Sequence, residues 1–156
     1  MAGRWSDRLP HFRMGFTPSA GEEIQSEYLV PRAHAGDAIR AVHALADVVR
    51  PVLQVSELRT VAADTLWMSP QHGTPTLGIH FTWTREPEPV ARAVRQVEAA
   101  LAGLAARPHW GKVFAARADA VAPLYDRLAD FAALRARLDP RDAFRNAWLD
   151  ERVLAT

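Results

Sequence analysis

Residues 52–63 read VLQVSELRTVAA, and the interpretation of the whole chain starts from this stretch. Apolar and β-branched residues dominate it, which predicts a β-strand. Because strand side chains alternate in direction, Leu53, Val55, Glu57 and Arg59 are expected on one face. A carboxylate and a guanidinium about 6.5 to 7 Å apart on that face can hold one small polar molecule. A surface ion pair on a solvated sheet is the simpler alternative.

Length and composition narrow the possible classes of protein. The chain has 156 residues, 49% of them hydrophobic, which is enough for one core and one domain. No long apolar run exists and the N-terminus lacks the apolar core of a signal peptide, so we expect a cytoplasmic protein without a transmembrane segment. The absence of cysteine excludes disulfides and thiolate zinc sites. A net charge of +1 without a basic block argues against nucleic acid as a partner.

Lys112 is the single lysine of the chain, since every other member of the 19 basic residues is arginine. A lysine amine can exchange protons near neutral pH when it is buried, whereas a guanidinium effectively cannot. Lys112 is therefore a candidate for a chemical role. Chance retention in an arginine-rich composition is the alternative.

Periodicity along the chain predicts an α+β fold. The elements in chain order are a strand at 22–31, a helix at 36–49, strands at 52–63 and 76–84, a helix at 86–104, and a last strand or extended turn at 107–114. This order is the split βαβ arrangement of ferredoxin-like βαββαβ domains, in which an antiparallel sheet carries its helices on one face. We expect the other face to be left without cover from this chain.

The chain divides into three parts. Residues 1–20 are predicted to form an extended, aromatic-bearing arm, residues 21–115 the ferredoxin-like core, and residues 116–156 a helical C-terminal extension. The tail of this extension is too apolar for a free end, so we expect it to pack on a partner surface outside these residues.

Five polar residues are candidates for a site on the uncovered face: Glu57, Arg59, His80, Thr82 and Lys112. A carboxylate accepts hydroxyl protons, two cations stabilise an oxygen that gains negative charge, and threonine completes the hydrogen bonding. This combination suits a neutral polyhydroxylated substrate and the oxidation of an alcohol. The sequence contains no glycine-rich phosphate loop, paired-histidine metal spacing or G-x-S-x-G elbow, which argues against the corresponding hydrolases and against a metal site.

Several long blocks of the sequence resemble one flavoprotein family. They are LPHFRMGFTPS, QSEYLVPR, SELRTVAADTLWMSP, GIHFTW, RPHWGK and LDPRDAFRNAWL, and together they cover almost the entire chain. They are similar to the C-terminal substrate (cap) domain of FAD-dependent alditol and xylitol oxidases. These enzymes are related to the D-arabinono-1,4-lactone and L-gulono-1,4-lactone oxidases of the vanillyl-alcohol oxidase superfamily. The similarity to alditol oxidases is the closer one.

The resemblance implies roles for the five residues. Glu57, Arg59, Thr82 and Lys112 would be substrate ligands on a sheet face that lies over the flavin ring, with His80 nearby. Arg59 and Lys112 would hold and acidify the reacting hydroxyl, while Glu57 and Thr82 would orient a polyol or sugar lactone. Hydride would pass to FAD, and oxygen would reoxidise the flavin to give peroxide. Lys112 and His80 both remain candidates for the base.

The chain departs from the family in two ways. The family's FAD-binding domain is not among these 156 residues, so we expect it in trans or in a longer gene product, with this chain a truncated or split form. A catalytically silent, stand-alone ferredoxin-like binding module is the alternative. In addition, Asp142 stands where the family usually has glycine, and we expect it to adopt a left-handed backbone at small cost.

Overall fold

A computed structural model describes residues 23–154, which form one four-stranded sheet and a set of short and long helices. The strands are β1 (Ile24–Pro31), β2 (Leu53–Val61), β3 (Thr76–Trp83) and β4 (Arg107–Pro108). The α-helices are α1 (Ala35–His43), α2 (Ala46–Val49), α3 (Pro87–Leu101), α4 (Ala118–Val121), α5 (Leu128–Leu138) and α6 (Ala147–Arg152). Short 3-10 helices follow β1, α3 and α4 at Arg32–His34, Ala102–Leu104 and Ala122–Leu124. The arm predicted at 1–20 lies outside the described residues.

The strand order is β2-β3-β1-β4, and every neighbouring pair is antiparallel. A helical segment connects β1 to β2, and β3 is inserted between these two strands in the sheet. This is the expected consequence of two interleaved βαβ units. The α+β prediction is confirmed, and the order agrees with the ferredoxin-like arrangement.

One face of the sheet packs against α1, α2 and α3 and forms the main core. In β3, Phe81 and Trp83 stack with ring centroids 4.8 Å apart, and the Trp83 indole donates to the Ser26 hydroxyl at 2.9 Å. Helix α3 begins with Pro87 at its first turn, where a missing N–H costs nothing, and turns its apolar side to the sheet. The buried residues of that side are Val90, Ala93, Val94, Val97 and Leu101.

A β-bulge near the start of β2 corrects one detail of the predicted strand. Leu53 pairs with Trp83 and Val55 pairs with Thr82, so one extra residue, Gln54, is accommodated between them. Leu53 therefore packs against the helix-side core, and the expectation that it shares a face with Glu57 is wrong. The register beyond the bulge leaves Glu57 on the opposite face.

The predicted helix at 36–49 is two helices. The chain leaves α1 at Ala44, where Leu45 donates to the Val42 carbonyl three residues back rather than continuing the α-helical pattern. The chain then enters α2 at Ala46. The segment at 107–114 likewise contains only a two-residue strand, because the chain turns away after Pro108.

The turn after β4 brings Lys112 over the sheet. The amides of His109 and Val113 donate to the carbonyls of Glu27 and Gln25 in β1, at 2.9 Å each. Between them, the Lys112 amide donates to the His109 carbonyl and closes a tight turn. The turn thus interrupts a pairing with β1 that begins at β4 and resumes at Val113.

The face opposite the helices is not as bare as predicted. Arg107 donates to the carbonyls of Pro70 and His72 in the β2–β3 connection, and to that of Leu124 in the C-terminal part. Leu29, the residue opposite Arg107, is buried. The chain itself therefore covers the β4 side of this face, and the β2 side stays open. We call the sheet surface opposite the helices, including its covered β4 side, the open face.

The C-terminal extension packs partly on its own chain. The Trp148 ring lies 6.3 Å from that of Trp110 and 6.0 Å from that of Phe114, so part of the tail that we expect to pack on a partner surface packs on this chain. Phe144 nevertheless stays 83% exposed. Asp142 has φ +54°, the left-handed backbone that was predicted there. None of the helices between residues 23 and 154 combines the length and apolar character that crossing a bilayer requires.

Candidate functional site

The five candidate residues come together on the open face from three segments. Glu57 and Arg59 come from β2, His80 and Thr82 from β3, and Lys112 from the turn after β4. The two strands are in direct register, with Glu57 opposite His80 and Val55 opposite Thr82.

Lys112 is the centre of the hydrogen bonding. Its ammonium lies 2.5 Å from Oε2 of Glu27 and 2.8 Å from Nδ1 of His80. Because an ammonium only donates, Nδ1 of His80 must accept, which places the ring proton of a neutral His80 on Nε2. Nε2 lies 3.2 Å from the Thr82 hydroxyl and donates to it. The side chains form one chain of hydrogen bonds from Glu27 to Thr82.

Arg59 is the second cation of the site. One of its terminal nitrogens donates to Glu57, and the other lies 3.3 Å from each carboxylate oxygen of Glu27. Its side chain is 44% exposed, so the guanidinium is accessible from outside. Arg59 and Lys112 therefore reach the same carboxylate from two sides.

Glu27 belongs to this cluster, although the sequence alone did not single it out. It lies in the middle of β1, directly opposite His80, and its side chain is 6% exposed. The sequence carried a signal, because the alternation in β1 places this acid on the same face as the other candidates. Its significance depends on the strand order, since only the insertion of β3 places Glu27 and Glu57 on either side of His80.

The ionisation of Glu27 is controlled by its partners. Burial alone would raise its pKa, but the nearby His80 ring, the hydrogen bond from Lys112 and the charges of Lys112 and Arg59 outweigh burial and lower the pKa to about 2. Glu27 is thus a carboxylate throughout the neutral range. It balances one of the two cations, and Glu57 balances the other.

Gly78 provides the space that Glu27 occupies. It lies in the cross-strand row next to His80, between Leu29 and Arg59. A Cβ atom at this position would lie 2.9 Å from Oε1 of Glu27 and 3.2 Å from Cδ1 of Leu29. The missing side chain therefore lets the Glu27 carboxylate and the Arg59 guanidinium meet above the sheet.

His109 shapes the turn that carries Lys112. Its Nδ1 accepts from the Gly111 amide at 3.1 Å. Burial and the nearby charge of Lys112 lower the pKa of His109, which favours the neutral imidazole that this contact requires.

The geometry can recognise hydroxyl groups and stabilise developing negative charge on one of them. Within residues 23–154, Glu27 and His80 use two of the three ammonium protons of Lys112, which leaves one for a ligand oxygen. Arg59 retains donors beyond those used by the two glutamates. The half-buried Thr82 adds a hydroxyl at the other end of the site.

Comparison with known proteins identifies the family of this chain. The sequence profile of the D-arabinono-1,4-lactone oxidase family matches residues 19–152. An alditol oxidase from Streptomyces sp. is 54% identical over 147 residues, which is 94% of this chain and 35% of that enzyme. An L-gulono-1,4-lactone dehydrogenase from Mycobacterium tuberculosis is 34% identical over 128 residues, 78% of this chain and 28% of the dehydrogenase. The chain thus spans about a third of the length of these relatives, both of which are oxidoreductases by name.

Proposed function

The chain belongs to the D-arabinono-1,4-lactone oxidase family, and we propose that it forms the substrate-binding part of an FAD-dependent oxidase. The substrate is a sugar alcohol, oxidised at a primary hydroxyl, or an aldonolactone. The observation that carries the proposal is the cluster of two cations, two carboxylates, an imidazole and a hydroxyl on the open face.

A sugar alcohol of the xylitol or sorbitol type is the favoured substrate. The relative named for alditols is 54% identical to this chain, against 34% for the relative named for a lactone. A polyol presents alternating donors and acceptors, and the cluster offers both kinds of partner along one line from Glu57 to Thr82. In this assignment Glu57 and Thr82 orient the polyol.

Arg59 and Lys112 bind the reacting hydroxyl and stabilise the oxygen as its proton leaves. The two candidates for the base, Lys112 and His80, are in direct contact at 2.8 Å and act as a unit in this proposal. Lys112 passes a proton to Nδ1 of His80 and takes the hydroxyl proton in its place. The pair thus holds the additional proton while the alcohol becomes an aldehyde.

The open face also suits a flavin held by protein outside this chain. On β2, Val55 is 52% exposed and lies on the same face as Glu57 and Arg59. Val55 would contact such a ring, and the two cations beside it would bind the hydroxyl groups of the substrate. FAD bound there would accept the hydride from the alcohol carbon, and oxygen would return the flavin to its oxidised form with release of peroxide.

The test is reconstitution. The purified 156-residue chain is mixed with the remaining part of the Streptomyces alditol oxidase, expressed with FAD, and peroxide is followed with xylitol as substrate. Arg59→Ala and Lys112→Ala serve as site variants, and Glu151→Gln in α6 as a matched surface control.

We expect peroxide from the mixture with the unaltered chain and with the Glu151→Gln chain. Each site variant should lower kcat by about 100-fold or more, in line with the removal of one charge-stabilising donor. A complex that forms and holds FAD but oxidises neither xylitol nor an aldonolactone would refute the proposal and favour a silent binding module.

A further inference from the structure

Glu27 contacts the three basic side chains of the site, and we call it the anchor. Both of its oxygens lie 3.3 Å from the Arg59 guanidinium, and Oε2 also lies 2.5 Å from the Lys112 ammonium and 3.6 Å from Nδ1 of His80. A carboxylate buried to this degree is costly unless charges and hydrogen bonds satisfy it. Here the cations of two separate segments converge on it.

The two cations need an anion between them. Arg59 belongs to the edge strand β2, and Lys112 belongs to a turn beyond β4 at the other edge. Two positive groups placed close together in a partly buried site repel each other, and their long side chains have many alternative rotamers. A shared carboxylate removes the repulsion and selects one rotamer for each cation.

The surrounding backbone is adapted to this carboxylate. β1 is an inner strand with a neighbour on each side, so the position of Glu27 is set by pairing with β3 and by the hydrogen bond from His109 to its carbonyl. Gly78 leaves the volume into which Oε1 projects. The anchor therefore lies on an inner strand that is paired on both sides, while the cations extend towards it from the two edges of the sheet.

Burial keeps Glu27 beneath the groups that a ligand would meet. Its side chain is 6% exposed, compared with 16% for Lys112 and 44% for Arg59. A molecule approaching the open face would reach the two cations before the carboxylate. Glu27 is also ionised at neutral pH through the partners described above, so it is a permanent acceptor for both cations.

We propose that Glu27 is the positioning residue of this site: it fixes the ammonium of Lys112 and the guanidinium of Arg59 at the spacing that the reacting oxygen requires. Glu27 acts through these two side chains and does not touch the substrate. The catalytic meaning of this inference rests on the proposed function, but the positioning itself can be measured without flavin or substrate.

The test uses the lysine composition of the chain. Lys112 is the only lysine, so protein labelled with ¹⁵N,¹³C-lysine and ¹³C-glutamate gives one side-chain ammonium signal from lysine. In the unaltered chain we expect an ammonium signal protected from exchange with water and a scalar coupling across the hydrogen bond to the Glu27 carboxyl carbon. In Glu27→Gln we expect the ammonium protons to exchange at least tenfold faster and the Lys112 side chain to become mobile. Glu151→Gln should match the unaltered chain.

An ordered, protected Lys112 ammonium in a folded Glu27→Gln chain would overturn the proposal. If Glu27→Gln does not fold, the coupling in the unaltered chain decides, and its absence overturns the proposal equally. In the reconstituted enzyme, Glu27→Gln should lower kcat by about tenfold or more and change KM less, and Glu27→Asp should recover part of the loss. Failure of the unaltered chain to produce peroxide would instead count against the proposed function and leave the NMR result standing.

Discussion

The ammonium of Lys112 lies 2.5 Å from the Glu27 carboxylate, although 85 residues separate the two in the chain. The contact joins the first strand of the sheet to the turn that follows the last. His80 and Arg59 come to the same carboxylate from β3 and β2, so the complete candidate site needs all four strands in the observed order.

The stability of the fold should depend on pH through Glu27. Its pKa is about 2 in the folded protein against an ordinary value of 4.5, so its ionised form stabilises the folded state. This contribution is complete above about pH 5, falls as the pH drops from about 4.5 towards 2, and is absent below that. At about 1.36 kcal/mol for each unit of pKa, it amounts to ~3 kcal/mol.

Urea unfolding of the unaltered chain and of Glu27→Gln measures this contribution. At pH 7 the variant should be less stable by about 2 to 4 kcal/mol, and the difference should shrink to below about 1 kcal/mol near pH 2. Glu151→Gln should follow the unaltered chain across the range. A difference that does not change with pH would show that the Glu27 charge is not what stabilises the site.

Replacing Gly78 with alanine should displace the anchor. The new Cβ would lie 2.9 Å from Oε1 of Glu27, a separation that real Cβ contacts do not show, so the carboxylate must move away from residue 78 and its contacts with the two cations must change. We expect a loss of about 1 to 3 kcal/mol in unfolding free energy and a fall in peroxide production in the reconstituted enzyme.

Gly103→Ala is the matched control, because a Cβ there would meet nothing within 4 Å. It should leave stability within about 0.5 kcal/mol or raise it slightly. Equal effects of the two substitutions would contradict the close fit between Gly78 and Glu27.

Replacing Arg107 with lysine should loosen the β2–β3 connection. The Arg107 guanidinium donates to the Leu124 carbonyl at 2.8 Å and to those of Pro70 and His72 at 3.2 and 3.1 Å. A lysine ammonium lacks the planar fork that spans these acceptors. Arg107→Lys should lower the unfolding free energy by about 1 to 3 kcal/mol and speed amide exchange at residues 69–74.

Arg92→Lys on the exposed side of α3 is the control, and equal exchange rates in both variants would refute the prediction.

Asp142 should tolerate glycine better than alanine. Its φ of +54° strains any residue with a Cβ, while its carboxylate accepts from Arg135 at 2.6 Å. Asp142→Gly removes the strain together with the exposed ion pair, so it should change the melting temperature little. Asp142→Ala loses the pair and keeps the strain, so its melting temperature should be clearly lower. Thermal unfolding of both variants measures the order, and an alanine variant as stable as the glycine variant would contradict it.

Local pattern was enough to predict most of the fold. Alternation in β2 and β3 and the helical stripe of α3 predicted which face is core. Phe81, Trp83 and the valines of α3 are buried by packing against each other. The same patterns placed Glu57, Arg59, His80 and Thr82 on one surface. The bulge at Gln54 left no mark in composition, so nothing in residues 52–63 predicted that Leu53 lies on the other face.

Glu27 shows what local pattern cannot supply. In the sequence it is one acid among the alternating residues of β1, and nothing nearby distinguishes it from a solvated surface charge. Its role depends on three non-local facts, namely the insertion of β3, the absence of a side chain at Gly78, and the turn that returns Lys112 to the sheet. Strand pairing and backbone turns of this kind are set by tertiary packing.

The most direct measurement is anaerobic flavin reduction in a chimera in which this chain replaces the matching segment of the Streptomyces alditol oxidase. We predict that xylitol bleaches the oxidised flavin in a single turnover, and that Arg59→Ala and Lys112→Ala slow the step by about 100-fold or more while Glu151→Gln does not. The proposed function would be contradicted by a folded, FAD-loaded chimera whose flavin no alditol or aldonolactone reduces. It would also be contradicted if flavin reduction in both site variants were as fast as in the unaltered chimera.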